Sequence, residues 1–328
     1  MTSNQVRTVL GDVAASELGP CDYHEHLFQV SQLLPGEELD NERLSGAEAA
    51  AMAAAGLTAM VEATPTALGR NPAAVARISA ATGLRAIHTT GAHHQGHYPA
   101  GHWLEEASAQ DLADRFSNDV TNGLPDVATP DADGPARAPV ALSPLGQPVR
   151  AGLIKAGIGY WRISPFERRC LDAAASAALT TGASVMVHLE YGTAAWETLA
   201  ILDQAGLAAD RVVLAHLDRN LDPGLHAELT AAGSYIGYDG MARHRQSPDS
   251  ALIDCLEAAL RRGGDPKRFL VGADVARATR FKAYGGMPGL TYLPERFWPR
   301  VVRAVGADIA QEIIERNPAR LLALRPPV

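Results

Sequence analysis

Short runs of apolar residues recur along the chain, and most of them end in a polar or charged side chain. Eight such runs can be counted, at residues 21–27, 57–64, 84–90, 153–158, 184–190, 212–218, 234–239 and 269–274. Alanine-rich segments with helical character lie between most of them, at 45–55, 71–81, 165–181, 193–205 and 247–262. Short apolar runs that alternate with helical segments are typical of strands in a parallel sheet.

Eight strand–helix units predict an α/β fold, a (β/α)8 TIM barrel, as a single domain over residues 1–328. The alternative is an open, doubly wound sheet, which binds its ligands at one switch point. Polar residues gather at the C-terminal ends of most of the runs, and a barrel brings all of those ends to one mouth. The barrel is therefore the favoured prediction.

Turn-forming residues mark the connections between these units. A segment at about 124–149 contains six prolines and predicts a partly disordered loop excursion between the third and fourth units. Near the C-terminus, Asn317 and Pro318 predict a last helix across the barrel, with Asn317 as its N-cap. Five glycines precede apolar runs and predict helix ends: Gly56, Gly83, Gly182, Gly206 and Gly233.

Composition narrows the class of protein. Of the 328 residues, 47% are hydrophobic and 20% are charged, which is ample for a large buried core. The formal net charge of -8 argues against a nucleic-acid or membrane-surface partner. The three cysteines lack CxxC spacing, so we expect no disulfide framework and a cytoplasmic location. The sequence shows no signal segment and no transmembrane run of about 18 apolar residues.

Candidate metal ligands close several of the predicted strands. His24 and His26 stand two residues apart in the first run, so both side chains point to the same face of a strand. His188, His216 and Asp274 each follow three or more apolar residues at a strand end. One such residue could be a hydrogen-bonded polar group of the core, but five that converge on one barrel mouth predict a metal site.

Lys155 lies near the end of the fourth run, between the two groups of histidines. Its ammonium group would repel divalent cations. The lysine must therefore lie elsewhere, be neutral, or have reacted with carbon dioxide to give a carbamate, an anionic oxygen ligand that can bridge two metals. A Schiff-base lysine, as in barrel aldolases, is the competing enzymatic interpretation, and the surrounding histidines and aspartate argue against it.

Taken in order, these residues resemble the phosphotriesterase family of the amidohydrolase superfamily. The similarity runs nearly end to end and includes the segments 23–27, 154–156, 215–219 and 317–320, together with Gly91 after the third run. It implies a site with two divalent metal ions, bridged by a carbamylated Lys155 and a hydroxide. The other ligands implied by the resemblance are His24, His26 and Asp274 for the more buried ion, and His188 and His216 for the more exposed ion.

The chemistry implied by this resemblance is metal-dependent hydrolysis. Zinc is the expected metal, although manganese, cobalt or iron would also suit the ligands. Two cations would acidify the bridging water, and the more exposed ion would polarise a carbonyl or phosphoryl oxygen. Asp274 would be catalytic, taking the proton of the hydroxide and passing it to the leaving group. The expected enzyme acts on ester bonds, as a lactonase or a phosphoric ester hydrolase.

Basic residues near the predicted mouth favour an anionic substrate. No acidic residue occurs at 275–294, a stretch that contains Arg277 and Arg280, and Arg243 and Arg245 follow the seventh run. These arginines predict a pocket for a phosphate or another anion. A charged loop exposed to solvent is the alternative interpretation.

The loop after the third run is a second candidate contact region. Tyr98 is a predicted substrate contact, and its histidine neighbours either contact substrate or belong to a solvated loop: His93, His94 and His97. Glu25 is expected to form a salt bridge in the barrel wall. Arg219 is expected either to be its partner or to orient His216.

The predicted substrate is a small lactone or ester that carries a phosphate or another anionic group. Alternatives within the family are a phosphotriesterase and a neutral or N-acyl-homoserine lactonase. Phosphotriesters are neutral, so a pocket for them would not need arginines. A non-catalytic metal- or ligand-binding barrel is a further alternative, which metal content would help to distinguish. The resemblance also makes a homodimer a candidate assembly.

Overall fold

The computed structural model has its strands in the order that the sequence predicts. It describes residues 4–127, 133–136 and 138–327. Two strands form a short antiparallel hairpin, β1 (Gln5–Thr8) and β2 (Gly11–Ala14). The other eight strands are β3 (Cys21–Glu25), β4 (Ala59–Glu62), β5 (Arg85–Gly91), β6 (Ala151–Ile158), β7 (Ser184–Leu189), β8 (Val212–Ala215), β9 (Tyr235–Tyr238) and β10 (Phe269–Val271).

These eight strands form a nearly closed barrel. Each strand from β3 to β9 pairs in parallel with the next one along the chain. At the seam, the backbone N–H of Asp274, just after β10, donates to the carbonyl oxygen of His24 in β3 at 2.9 Å. The predicted (β/α)8 fold is therefore confirmed, and the open sheet is excluded.

Helices cover the outside of the barrel. Their bounds are α1 (Glu42–Ala54), α2 (Pro72–Thr82), α3 (Trp103–Glu106), α4 (Ala109–Thr121), α5 (Pro165–Thr181), α6 (Ala195–Gln204), α7 (Pro223–Ala231), α8 (Asp249–Arg261), α9 (Trp298–Val305), α10 (Ala307–Gln311) and α11 (Asn317–Leu322). The local sequence explains α5, because Ser164 and Glu167 form a reciprocal capping box and Gly182 ends the helix with a φ of 83°. Within the described ranges, every helix is too short or too polar to cross a bilayer.

Two apolar layers lie on opposite faces of the barrel wall. Leu153 of β6 packs inside the barrel with residues such as Ile87 and Met186, whereas the next residue, Ile154, packs outside against the helices. All three inner residues are fully buried. Because successive side chains of a strand alternate between faces, one short strand supplies both layers. The two layers pack against both faces of the strands and so fix the positions of the strand ends that carry the candidate ligands.

The described part of the proline-rich excursion packs against the outer side of the barrel. Isolated bridges pair Pro125 with Val140 and Leu142 with Pro148. Asp133 accepts hydrogen bonds at 2.6 Å from Nε of Arg70 and from Nη2 of Arg115. The expected partial disorder includes residues 128–132 and 137, which lie outside the described residues.

The expectation that Asn317 caps the last helix was wrong. Residues 312–316 already have a helical conformation, so α11 continues an existing helix and needs no cap. The amide nitrogen of Asn317 instead donates to the carbonyl oxygens of Pro266 at 2.8 Å and Phe269 at 2.7 Å. Asn317 thus ties the last helix to the start of β10.

Candidate metal centre

A cavity of about 830 Å³ opens where the C-terminal ends of the barrel strands meet. All six predicted metal ligands line it: His24, His26, Lys155, His188, His216 and Asp274. Each of the six is at least nine-tenths buried. The fold thus brings together residues that are up to 250 positions apart in the chain (274 − 24 = 250).

Asp239, directly after β9, is hydrogen-bonded to two of the four histidines. Nδ1 of His24 lies 3.0 Å from its Oδ2, and Nδ1 of His216 lies 2.5 Å from its Oδ1. Tyr23 also donates its hydroxyl proton to Oδ2 of Asp239. A carboxylate can only accept in these bonds, so the Nδ1 atoms of both imidazoles carry protons and both Nε2 atoms have lone pairs.

The other two histidines have their own oxygen partners. Nδ1 of His26 lies 2.6 Å from Oγ1 of Thr64, whose hydroxyl donates to the carbonyl oxygen of Phe28 at 2.5 Å. His26 must therefore donate through Nδ1 and keep its lone pair on Nε2. His188 is reversed, since its Nε2 lies 2.8 Å from Oε2 of Glu190 and Nδ1 is the free nitrogen.

All four imidazoles therefore offer a lone pair to the same cavity. Burial lowers the pKa of all four, to about 3 for His216, so they are neutral at physiological pH, as metal ligands must be. The free Nδ1 of His188 and the free Nε2 of His216 lie only 2.7 Å apart. Two facing lone pairs repel each other, and a cation beside them relieves this repulsion.

Lys155 lies inside this ring of imidazoles. Its Nζ is 3.1 Å from Nε2 of His24, and burial, which outweighs the nearby carboxylates, lowers its pKa to about 8. The close approach of β5 and β6 fixes its backbone, because a Cβ at Gly91 would overlap the carbonyl group of Lys155. A partly neutral amine at this position can react with carbon dioxide.

Asp274 faces the histidines on one side and two arginines on the other. Its Oδ1 lies 3.8 Å from Nε2 of His24 and 3.6 Å from Nε2 of His26, and these three residues could hold one metal ion. Its Oδ2 pairs with Nη2 of Arg219 at 2.9 Å and with Nη2 of Arg243. Burial alone would raise the pKa of Asp274, but Arg243 and the other cationic neighbours hold it well below its usual value.

Two of the candidate ligands have a strained backbone. Asp274 has a φ of 42° and His216 has a φ of 66°, in the left-handed region that non-glycine residues rarely adopt. Such a conformation costs about 1–3 kcal/mol and is concentrated at functional sites. Both side chains line the cavity, so the strained positions coincide with the candidate site.

The predicted arginines all reach the cavity wall, but only two are free. Arg243 and Arg280 donate to the carbonyl oxygen of Asp274, at 2.6 Å and 3.4 Å. Arg245 and Arg277 are exposed and line the cavity, and their guanidinium groups have no hydrogen-bond or ion-pair partner within the described part of the chain. Arg243 and Arg280 thus contact Asp274, whereas Arg245 and Arg277 do not, and the sequence did not reveal this difference.

Tyr98 does not line the cavity, in contrast to the prediction. Its hydroxyl accepts from the backbone N–H of His93 at 2.9 Å and donates to the carbonyl oxygen of Thr66 at 3.2 Å. It is buried behind the loop that it supports, so it has no surface left for a substrate. We therefore exclude Tyr98 from the candidate substrate contacts.

The loop histidines fit one of their two interpretations, whereas Arg219 pairs elsewhere than expected. The three histidines near Tyr98 line the cavity and are shielded, so this loop is not simply a solvated one. Arg219 pairs with Asp274, whereas Glu25 accepts backbone N–H groups of His26 at 2.8 Å and Val275 at 3.0 Å. The expected salt bridge of Glu25 was therefore wrong.

Sequence reasoning missed the residues that orient the ligands. Asp239, Thr64 and Glu190 have this role, and each ends one of the apolar runs. A signal for them was present, since a polar residue at the end of a barrel strand faces the same mouth as the ligands. The sequence could not show which imidazole each of them meets.

Comparison with known proteins gives a consistent result over the whole chain. A family model described as "Phosphotriesterase family" matches residues 4–129 and 145–322. A phospho-furanose lactonase of Mycoplasmopsis synoviae (strain 53) is 28% identical over 338 residues, with 98% of this chain and 93% of that protein covered. A phospho-furanose lactonase of Mycoplasmopsis agalactiae is 29% identical over 336 residues, with coverage of 98% and 92%. The crystal structure of a lactonase from Listeria monocytogenes superposes with a TM-score of 0.85 at 28% identity, covering 98% of this chain and 100% of that one.

Proposed function

Because this chain belongs to the phosphotriesterase family, a family of metal-dependent hydrolases of ester and lactone bonds, we propose that it opens a lactone or ester bearing a phosphate or another anionic group. The proposed cofactors are two divalent metal ions, with zinc as the expected metal and manganese, cobalt or iron as alternatives. The observation that carries this proposal is the hydrogen bonding of the four imidazoles, each of which keeps one lone pair directed at a shared space.

The residues present fit two metal ions. One ion would be held by His24, His26 and Asp274, and the other by His188 and His216. Carbamylated Lys155 would supply oxygen ligands to both. When bound, ions at such a site acidify water and polarise the carbonyl or phosphoryl oxygen of a substrate.

Asp274 is the proposed acceptor of the proton that the attacking water loses. Its Oδ1 faces His24 and His26, whereas its Oδ2 is fixed in direction by Arg219 and Arg243. These guanidinium groups make the carboxylate a weak base, so it would hold the proton only briefly and pass it to the leaving oxygen.

Arg245 and Arg277 are the proposed contacts for the anionic group. Both line the cavity, and their guanidinium groups are not engaged by any described residue. Arg243 and Arg280, in contrast, already bind the backbone beside the candidate ligand Asp274 and would shape this wall. The two lactonases with "phospho-furanose" in their names support a phosphate as this anion.

A neutral lactone with an alkyl group is the second candidate substrate. Leu33, Leu34 and Met287 also line the cavity, and Leu33 and Met287 are 49% and 72% exposed. An apolar rim of this kind could accept a hydrocarbon chain. The proposal of an anionic group therefore needs a direct test.

The metal site can be tested with Lys155→Ala. We expect the wild-type protein to contain about two divalent ions per chain, and the variant to lose metal and activity together because the bridging ligand is gone. A short free carboxylate should restore part of both. Lys267→Ala, which removes an exposed lysine next to β10, should change neither property. Full metal content and activity in Lys155→Ala would refute the two-metal proposal.

The anion pocket can be tested by comparing two substrates in two proteins. Arg277→Ala should reduce kcat/KM roughly 10- to 100-fold for a phosphorylated lactone, because a charged hydrogen bond contributes about 1.5–3 kcal/mol. The same lactone without phosphate should be hydrolysed equally by both proteins. Arg262→Ala, which changes an exposed arginine beyond α8 at the other end of the barrel, is the matched control. Equal losses on both substrates, or a wild-type preference for the neutral lactone, would contradict the pocket.

Location and assembly remain predictions. The three cysteines are buried as free thiols, which supports the proposed reducing, cytoplasmic location. The homodimer expected from the family resemblance can be checked by sedimentation of the purified protein.

A further inference from the structure

Three histidines form a second imidazole cluster on the cavity wall, beside His188. His93, His94 and His97 lie in the loop after β5, and all three line the cavity. The ring centroid of His93 lies 3.7 Å from that of His97 and 4.3 Å from that of His188. The proposed hydrolysis gives these three side chains no role.

The Nδ1 atom of each of these histidines is engaged within or beside its own loop. Nδ1 of His93 accepts the backbone N–H of His94 at 2.8 Å, and Nδ1 of His94 accepts the backbone N–H of Gly96 at 3.2 Å. Nδ1 of His97 lies 2.8 Å from Oγ of Ser31. That hydroxyl can donate to Nδ1 of His97 or accept from it, so this bond fits either tautomer of His97.

The backbone bonds of His93 and His94 place the proton of each imidazole on Nε2 and leave none on Nδ1, because a nitrogen that accepts a hydrogen bond must keep its lone pair, and His97 can adopt the same tautomer. None of the three Nε2 atoms has a hydrogen-bond partner among the residues that the structure describes, and none is sealed from solvent, although Nε2 of His94 lies 3.8 Å from Oε2 of Glu190. They are N–H donors that face the cavity, whereas the four candidate metal ligands present lone pairs.

We propose that His93, His94 and His97 form a neutral donor subsite that binds uncharged oxygen acceptors of the substrate, namely ring hydroxyl or carbonyl oxygens. The subsite rests on the proposed function and adds a second specificity element to it. The arginines would recognise the anionic end of the substrate, and the histidines would recognise a hydroxylated ring. A purely alkyl group on this side would leave three donors without partners, which a site built from hydrogen bonds disfavours.

A further metal ion is the competing use of this cluster. Ligand atoms of His93, His94 and His188 do lie within 4.8 Å of one another. For Nε2 of His93 to bind a metal, however, its proton would move to Nδ1 and would then face the N–H of His94 across 2.8 Å. The same conflict arises at His94 with Gly96. The hydrogen bonds of the loop therefore favour donors over ligands.

The test uses two lactone phosphates, one with ring hydroxyls and one without them, and four metal-loaded proteins. These are the wild type, His93→Phe, His93→Gln and His102→Phe. Phenylalanine removes the donor, whereas the glutamine amide returns an N–H close to the position of Nε2. His102 is a matched control, because its Nδ1 also accepts a backbone N–H, from Leu104 at 3.3 Å, but it does not line the cavity.

We expect His93→Phe to lower kcat/KM about 10-fold for the hydroxylated lactone and less than about two-fold for the other. His93→Gln should recover part of the loss, His102→Phe should show none, and all four proteins should hold the same amount of metal. His94→Phe, which changes a less buried ring, should reproduce the selective loss if His93→Phe folds poorly by circular dichroism.

Other outcomes would overturn the inference. Loss of about one metal ion in His93→Phe would identify the cluster as a metal site. An equal loss on both lactones, without recovery in His93→Gln, would show that the histidine is structural. If the wild type hydrolyses both lactones and the variants match it, the donor subsite fails while the proposed function stands. If the loaded wild type hydrolyses neither lactone, the proposed function fails and the subsite falls with it.

Discussion

Asp239 is the residue on which two candidate metal ligands depend. It accepts from Nδ1 of both His24 and His216, so one carboxylate sets the tautomer of a ligand of each proposed ion. An asparagine has only one oxygen, and its NH2 group would face one of these N–H donors. Asp239→Asn should therefore lower metal affinity about 10- to 100-fold, measured by competition with a chelator, with little change in fold.

A buried aspartate of the same barrel end provides the control for this variant. Oδ1 of Asp22 accepts the N–H groups of His24 and Ala273 at 3.1 Å, while burial raises the pKa of Asp22 to about 8. Asp22 is thus protonated at neutral pH, and the amide in Asp22→Asn can replace it. Unchanged metal affinity in Asp239→Asn, or equal losses in both variants, would refute the specific role of Asp239.

The six candidate ligands could be predicted from the sequence, but their partners could not. The C-terminal ends of all the barrel strands meet at one mouth, so a histidine or aspartate there is a candidate ligand whatever its neighbours are. The role of Tyr98 depended instead on whether its side chain faces the cavity or is buried behind its own loop. The difference between Arg243 and Arg277 likewise depended on which of them reaches Asp274.

At the scale of elements, all eight barrel strands were predicted from apolar runs, and the five predicted helices lie where expected. The helix α5 shows why, since its start, its length and its end are all set by local residues. The error at Asn317 arose because the preceding turn is already helical, which short-range signals did not reveal. The path of the excursion could not be predicted, because it depends on a buried ion pair between distant residues.

That ion pair predicts how firmly the excursion is attached. The side chains of Arg70 and Asp133 are both almost completely buried, and Arg70 also pairs with Asp119 at 3.1 Å. Asp133→Asn should destabilise the protein by about 3 kcal/mol, measured by chemical denaturation, because it leaves buried guanidinium groups incompletely paired. The exposed ion pair between Arg77 and Glu42 is the comparison, and Glu42→Gln should cost less than about 1 kcal/mol. Similar losses in the two variants would show that burial of the pair is unimportant.

At the scale of the whole molecule, buried ionisable groups determine how stability depends on pH. Ten of the eleven histidines have a lowered pKa, with burial as the largest cause. Between pH 6.5 and about 3, His88 and His216, whose pKa is lowered to about 3, bind a proton in the unfolded chain but not in the folded one. Acidification in this range therefore favours unfolding, by about 1.4 kcal/mol per pH unit for each fully buried histidine.

Buried carboxyl groups act in the opposite direction, over a pH range that runs from their unfolded pKa of about 4 to their folded pKa. Burial raises the pKa of Glu62 and Asp218 to about 7, so the folded state retains protons that the unfolded state has lost. Stability from these groups falls as the pH rises through their folded pKa values. The metal-free protein should thus be most stable near pH 6.5–7, as measured by urea denaturation across pH 4.5–9. A stability that rises steadily with acidification below pH 6 would contradict this balance.

The attachment of the proline-rich excursion has a consequence for how this barrel can change over evolutionary time. Residues 130–144 are not matched by the family model, yet Asp133 within them neutralises Arg70 and Arg115 of the barrel. Deletion of the segment would remove the Asp133 carboxylate and leave the guanidinium groups of Arg70 and Arg115 with fewer partners in the protein interior. Gain of the segment is therefore easier than its loss, because the fold comes to depend on it, although none of its described residues lines the cavity.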